Sequence, residues 1–141
     1  MATTVLSNPV VSVGTTTPGT ALTVQVVSAV VNSSQDQLES TAFGQTNRTY
    51  VGGLTNASIT LTLLMDYASS STYALLNSLV GAAATYVAVK ATTAAISTTN
   101  PEFQLTNGYL ASMDLVNAQL GELQQVEVVF NGGTLVKDVT P

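Results

Sequence analysis

Cysteine and histidine are both absent from this chain of 141 residues, and each absence removes a class of chemistry. Without cysteine there is no disulfide framework and no thiolate metal site. Such a chain suits a reducing compartment without demanding one. Without histidine, the commonest general acid or base near neutral pH and the commonest metal ligand are missing. That removes most hydrolase and metalloenzyme schemes and leaves carboxylate chemistry. Charge is scarce as well: Lys and Arg number 3 and Asp and Glu 8, for a net charge of −5. Arg48, Lys90 and Lys137 are spread along the chain, so no basic patch is available to neutralise phosphates. Long apolar runs are missing too. The mean hydropathy is positive, but it arises from scattered Val, Ala and Leu, and no run approaches the ~18 residues of a spanning helix. Met1-Ala2-Thr3-Thr4-Val5 lacks the basic-then-apolar order of a secretion signal, and the expectation is assembly in the cytoplasm.

The length suits one domain, and a chain of this size buries about 68–70% of the surface its unfolded form exposes. It therefore builds a core without staples. Its charged fraction of 8% is far below the roughly 25% usual for soluble domains, with Ser, Thr and Asn in the gap. So few charges protect a monomer poorly against self-association. A surface destined to be buried against other copies of the chain needs fewer, and the composition points to an obligate assembly.

Along the chain, β-branched stretches at Val10–Val13 and Leu22–Val31 predict strands, and the polar stretch Asn32–Gln37 predicts a turn. Residues 41–56 are irregular, with Gly44, Gly52 and Gly53 free to take positive φ. A loop of that length is usually functional or disordered. Ala57–Met65 predicts a strand with Ile59, Leu61 and Leu63 on one face. A helix is predicted over 72–80, capped by Ser70 or Ser71 and stopped by Gly81. Its apolar stripe is Tyr73, Leu76 and Val80 with Leu75 and Leu79 beside it. Thr85–Ala91, Glu102–Met113 (bent or broken near Asn107-Gly108) and Leu123–Phe130 predict further strands. Asn131-Gly132-Gly133 predicts a hairpin turn into Thr134–Val139. The order of elements gives a mainly β chain: an antiparallel β-sandwich or barrel with one flanking α-helix.

No motif carries catalysis, and the expectation is a chain that is not an enzyme, with no catalytic residues, no metal and no cofactor. Ser69-Ser70-Ser71 has no base to activate a nucleophile and reads as a helix cap. Asp66 reads as a strand-ending turn residue. Asp36 with Glu39, and Glu122 with Glu127, read as solvated or interface charges. The sequons at Asn32, Asn47 and Asn56 read as chance matches in a Ser- and Thr-rich chain. Arg48 is the sole arginine and sits near Tyr50; both residue types are enriched where proteins meet.

Several short segments together suggest a family. They are Leu38-Glu39-Ser40-Thr41-Ala42-Phe43-Gly44, Arg48-Thr49-Tyr50, Gly53-Leu54, Asp66-Tyr67, Asn100-Pro101-Glu102-Phe103, and Gly121-Glu122-Leu123 leading to Val128-Val129-Phe130. In this order and spacing, across roughly residues 5–135, the chain resembles the major tail tube proteins of long-tailed bacteriophages, in the short form found in actinobacteriophages. Gln45 departs from the pattern, standing where an acid is expected. The resemblance implies hexameric rings stacked into a hollow tube through which DNA passes without specific binding. It also implies tape measure and tail terminator proteins as partners, and a place in the virion tail. It further implies one tail tube domain over 1–141, with an N-terminal arm at about 1–8, an inter-subunit loop at about 41–56 and a C-terminal arm at about 134–141. The contact candidates are Phe43, Gly44, Asn47, Arg48, Tyr50, Gly53 and Leu54. Two alternatives stay open: another virion or surface structural protein, such as a capsid decoration protein or an adhesin-like β-sandwich, and an enzyme or small-ligand binder.

Overall fold

Alternation along the chain decides where the core lies. Ile59, Leu61 and Leu63 all point inward from one strand and are fully buried, as the period-2 pattern requires. They meet Phe130, Val128 and Val126, which stand directly opposite them on a neighbouring strand and are likewise buried. The computed structural model describes residues 9–15, 20–21, 26–67, 72–82 and 84–140. The elements are β1 (Val10–Gly14), β2 (Thr20–Ala21), β3 (Val26–Glu39), β4 (Tyr50–Leu64), α1 (Thr72–Leu79), β5 (Thr85–Lys90), β6 (Glu102–Leu110), β7 (Gln125–Asn131) and β8 (Thr134–Asp138). Pairing follows the order β2-β1-β5-β6-β7-β4-β3, with β8 on β6. The strand pairs are antiparallel, so the expected mainly β class holds, with one short helix among the described residues.

β6 is the corner. Its first part pairs with β5 on one side and β8 on the other, while Tyr109 and Leu110 pair with β7. Between them Asn107 takes φ 56, and the strand bends from one layer into the other, as corner strands do when they switch sheets. One layer is thus β2-β1-β5-β6-β8 and the other β6-β7-β4-β3. Val11, Val13, Val87 and Leu105 of the first face the inward residues of the second in one cluster. Leu76 and Leu79 of α1 complete that cluster. The helix therefore buries Leu76 and Leu79, with Leu75 packed beside them, whereas Val80 of the expected stripe is exposed. Past its end Gly81 takes φ 76 and donates its N–H to the Leu110 carbonyl at 2.9 Å, so the chain stops where the glycine predicts. The expected serine cap and the expected N-terminal arm at about 1–8 lie outside the described residues.

Four expectations need correction. Asn32–Gln37 is not a turn but part of β3, which runs for 14 residues. Residues 50–56 are not loop but the first part of β4, a strand of 15 residues. Both errors have one cause: this stretch of sheet is exposed on both faces, and without a buried side there is no alternation to read. Asn131-Gly132-Gly133 is not a hairpin turn, because β8 pairs with β6 rather than β7. Gly132 and Gly133 have φ 77 and 72 and carry the chain across the corner strand. At Gly133 a Cβ would fall on the Thr106 carbonyl oxygen and 2.7 Å from Asn107 backbone atoms. Most of the expected C-terminal arm at about 134–141 is likewise β8, held in the sheet through Asp138.

Candidate functional site

Beyond Ala57, the last buried residue toward its tip, the β3–β4 hairpin leaves the body as an arm. The ladder continues from Ser33↔Ala57 out to Glu39↔Tyr50, and almost every residue from 32 to 56 is exposed. The arm of β4 from Tyr50 to Asn56 spans about 20 Å at 3.3 Å per residue. A two-stranded ribbon without a packed face is marginal in water, so local chemistry must hold it. The ladder shifts register between Gln35 and Gln37, and there Gln35 Nε2 donates to the Gly53 carbonyl at 3.1 Å. Gly52 and Gly53 serve this close approach rather than positive φ: a Cβ at Gly52 would lie 2.6 Å from the Gln35 amide, and one at Gly53 3.0 Å from Asp36 Cβ.

The tip, residues 40–49, is a small hydrogen-bonded unit. Ser40 N–H donates to the Thr49 carbonyl at 2.8 Å, and Thr49 N–H donates to Thr41 Oγ1 at 3.0 Å. Gln45 Oε1 accepts from Ala42 N–H at 2.7 Å. Where an acid was expected, the glutamine amide supplies the same acceptor to the backbone, so its role here is internal to the tip. Gly44 takes φ 88, the one place in this tip where the turn demands a left-handed residue.

All seven candidate residues lie on this arm. Phe43 is 109% exposed and Leu54 81%; Tyr50, with Leu38 and Val51 beside it, is also exposed. Asn47 and Arg48 stand in the tip, also exposed, and Gly53 is half-buried under Gln35 and Asp36. Large apolar side chains held in water on a projecting ribbon form an exposed patch of the kind found at interaction sites.

A second exposed apolar set was not singled out from the sequence. Leu115, Val116, Leu120 and Leu123 are all more than half exposed, Leu120 fully so at 102%. They lie in the segment between β6 and β7, residues 111–124, which has no regular structure. A signal for it was present: Val116, Leu120 and Leu123 recur at i, i+4 and i+7, the spacing of a helical stripe, yet no helix forms there.

Chemical sites are sparse. Among the described residues no group of three or more acidic side chains converges as a metal site. Asp36, Glu39, Glu122 and Glu127 are exposed. The fold instead brings together Glu102 and Asp138, opposite each other on β6 and β8. Gln104 Nε2 donates to Glu102 Oε1 at 2.8 Å and to Asp138 Oδ2 at 3.4 Å. Burial first, and then these two carboxylates, push the nearby Tyr86 hydroxyl above its usual range. A groove of about 370 Å³ runs between Val26–Ala29 and Val89–Ala91 over Phe103. It is mostly apolar and offers no convergent set of polar groups for catalysis.

No protein-family model matches the chain, and no curated protein matches it. Solved structures do, over nearly its whole length. A chain of the PVC sheath–tube complex, an extracellular contractile injection system in the extended state, superposes with TM-score 0.71 and 14% identity, covering 98% of this chain and 93% of that one. The SPP1 tail tube superposes with TM-score 0.75 and 10% identity, covering 98% and 80%. The tail of an empty gene transfer agent particle, in C6 symmetry, gives TM-score 0.69 and 14% identity, covering 95% and 96%. At such identities the likeness establishes the fold, which is that of tail and tube assemblies.

Proposed function

We propose that this chain is the repeating subunit of a phage-type tail tube. Copies close into six-membered rings, the rings stack head to tail, and the hollow tube so formed sits in the virion tail and conducts DNA. Tape measure and tail terminator proteins are the other partners expected of such a tube. The observation that carries the reading is the arm: a paired ribbon with fully exposed Phe43 and Leu54, on a fold shared along its length with tube-forming chains. A monomer gains nothing from such an arm, whereas a stacked copy buries it. Head-to-tail contact between unlike surfaces is the geometry that gives open filaments rather than closed pairs.

Electrostatics support passage of DNA without specific binding. On β4 the outward residues are Ser58, Thr60 and Thr62, and Glu127 stands across from Thr62 on β7. Among the described residues of that outward face there is no lysine or arginine to hold phosphates. The test is negative-stain electron microscopy of the purified chain over a concentration series. Hollow rods or stacked rings with a central channel are expected; particles that stay small at every concentration overturn the proposal.

A further inference from the structure

The strand register brings together, on one face of the first layer, polar groups that lie far apart in the sequence. Directly opposed residues on antiparallel strands share a face, with Cβ atoms about 4.5–5.5 Å apart. Across β5, β6 and β8 this gives three rows: Lys90 with Glu102 and Asp138, Ala88 with Gln104 and Val136, and Tyr86 with Thr106 and Thr134. The alternate residues Val87, Leu105 and Leu135 belong to the core cluster or pack on it, so the three rows lie on the face turned away from the core. Glu102, Gln104 and Asp138 are half-buried there. Asp138 Oδ1 is held by Thr140, whose N–H and hydroxyl each donate to it at 3.0 Å. Asp138 Oδ2 is left to face Glu102 Oε1, and both oxygens converge on one nitrogen, Gln104 Nε2, at 3.4 and 2.8 Å.

Tyr86 supplies a second, separate observation. It is 5% exposed, yet it stands outside the core cluster, on the same face as the two carboxylates. Its hydroxyl is near enough to feel both of them, but it forms no hydrogen bond among the described residues. Buried polar groups normally have a partner. A hard cation satisfies the two carboxylate oxygens and the hydroxyl at once. Calcium takes carboxylate and amide oxygens in flexible geometry, with water in the remaining positions. Gln104 suits either state, because a half-turn about its last torsion replaces the donating Nε2 with the accepting Oε1. We propose that Glu102, Asp138 and Gln104 form a calcium site that clasps β8 to β6, with the Tyr86 hydroxyl turned to the ion or to one of its waters. Lys90, opposite Glu102, is the competing cation, a point charge on a flexible stem. With two carboxylates and an open side, the site has a dissociation constant of roughly 10⁻⁴–10⁻³ M. It belongs to the single chain and does not rest on the tube reading.

The chain has no tryptophan, so terbium, a luminescent stand-in for calcium, can be excited only through tyrosine. The purified chain is titrated with terbium, and the emission is then displaced with calcium or magnesium. The expected result is a saturable emission that calcium removes and that magnesium, which demands a tighter octahedral shell, removes poorly. Tyr86→Phe loses most of the emission but keeps the rise in melting temperature with calcium. Glu102→Gln and Asp138→Asn each weaken both signals at least about tenfold in calcium concentration, since affinity follows the ligand charge count. Lys90→Met strengthens binding, a gain that misfolding cannot imitate. The proposal is overturned if no saturable emission appears, or if emission survives both carboxylate substitutions, which marks an adventitious ion only. It is equally overturned if Lys90→Met and the carboxylate variants all bind calcium as the parent does.

Discussion

Phe43→Ala isolates what the arm contributes to assembly. In the single chain Phe43 is 109% exposed, so the substitution removes nothing from the core. Surface changes of this kind stay within about 0.5 kcal/mol of the parent stability. In the proposed stack a neighbouring copy buries each arm, so one Phe43 contact is lost per subunit. Fully burying such a side chain contributes about 1.5–3 kcal/mol. A loss near the middle, about 2 kcal/mol, raises the concentration needed for growth roughly 30-fold, since 1.4 kcal/mol is a factor of ten. The assay is the concentration left unpelleted after sedimentation of rods, measured beside a thermal melt of the unassembled chain. Thr46→Ala in the same tip is the control: it removes little apolar area, so its critical concentration should move by no more than about twofold. The reasoning fails if Phe43→Ala leaves the critical concentration where Thr46→Ala leaves it, or if it lowers the melting temperature of the monomer.

The turn between β7 and β8 offers a matched pair of substitutions. Gly132→Ala, with open space around the missing Cβ, carries only the cost of a left-handed alanine, about 1–2 kcal/mol. Gly133→Ala adds a collision with the Thr106 and Asn107 backbone and should cost about 3 kcal/mol or more in total; urea midpoints that coincide would contradict this. Tyr86 predicts a pH dependence. Its hydroxyl is held above the usual value of 10.0 by burial and then by Glu102 and Asp138, so above pH 10 the unfolded chain releases the proton while the folded chain keeps it. Stability therefore falls as pH rises from about 10 through the folded value. Melts between pH 9 and 11 should show a shallower decline in Tyr86→Phe than in the parent, and identical slopes would refute the coupling.

What the sequence disclosed and what it hid follow one physical rule. Ile59, Leu61 and Leu63, and Val126, Val128 and Phe130, alternate because one side of each strand faces the core, so their strands were legible. Gly81 was legible as a stop because its φ of 76 is a local requirement. The arm was not, because residues 32–39 and 50–56 bury neither face and their pairing is set by the opposing strand. The crossing at Gly132-Gly133 was misread because the choice between β7 and β6 as partner depends on the bend at Asn107. That bend acts at a distance in sequence. The seven contact candidates fell on a single structural unit because loop composition and glycines mark the tip locally. The apolar segment 111–124 escaped because the helical spacing of Val116, Leu120 and Leu123 forms no helix, and their exposure is set by the tertiary fold.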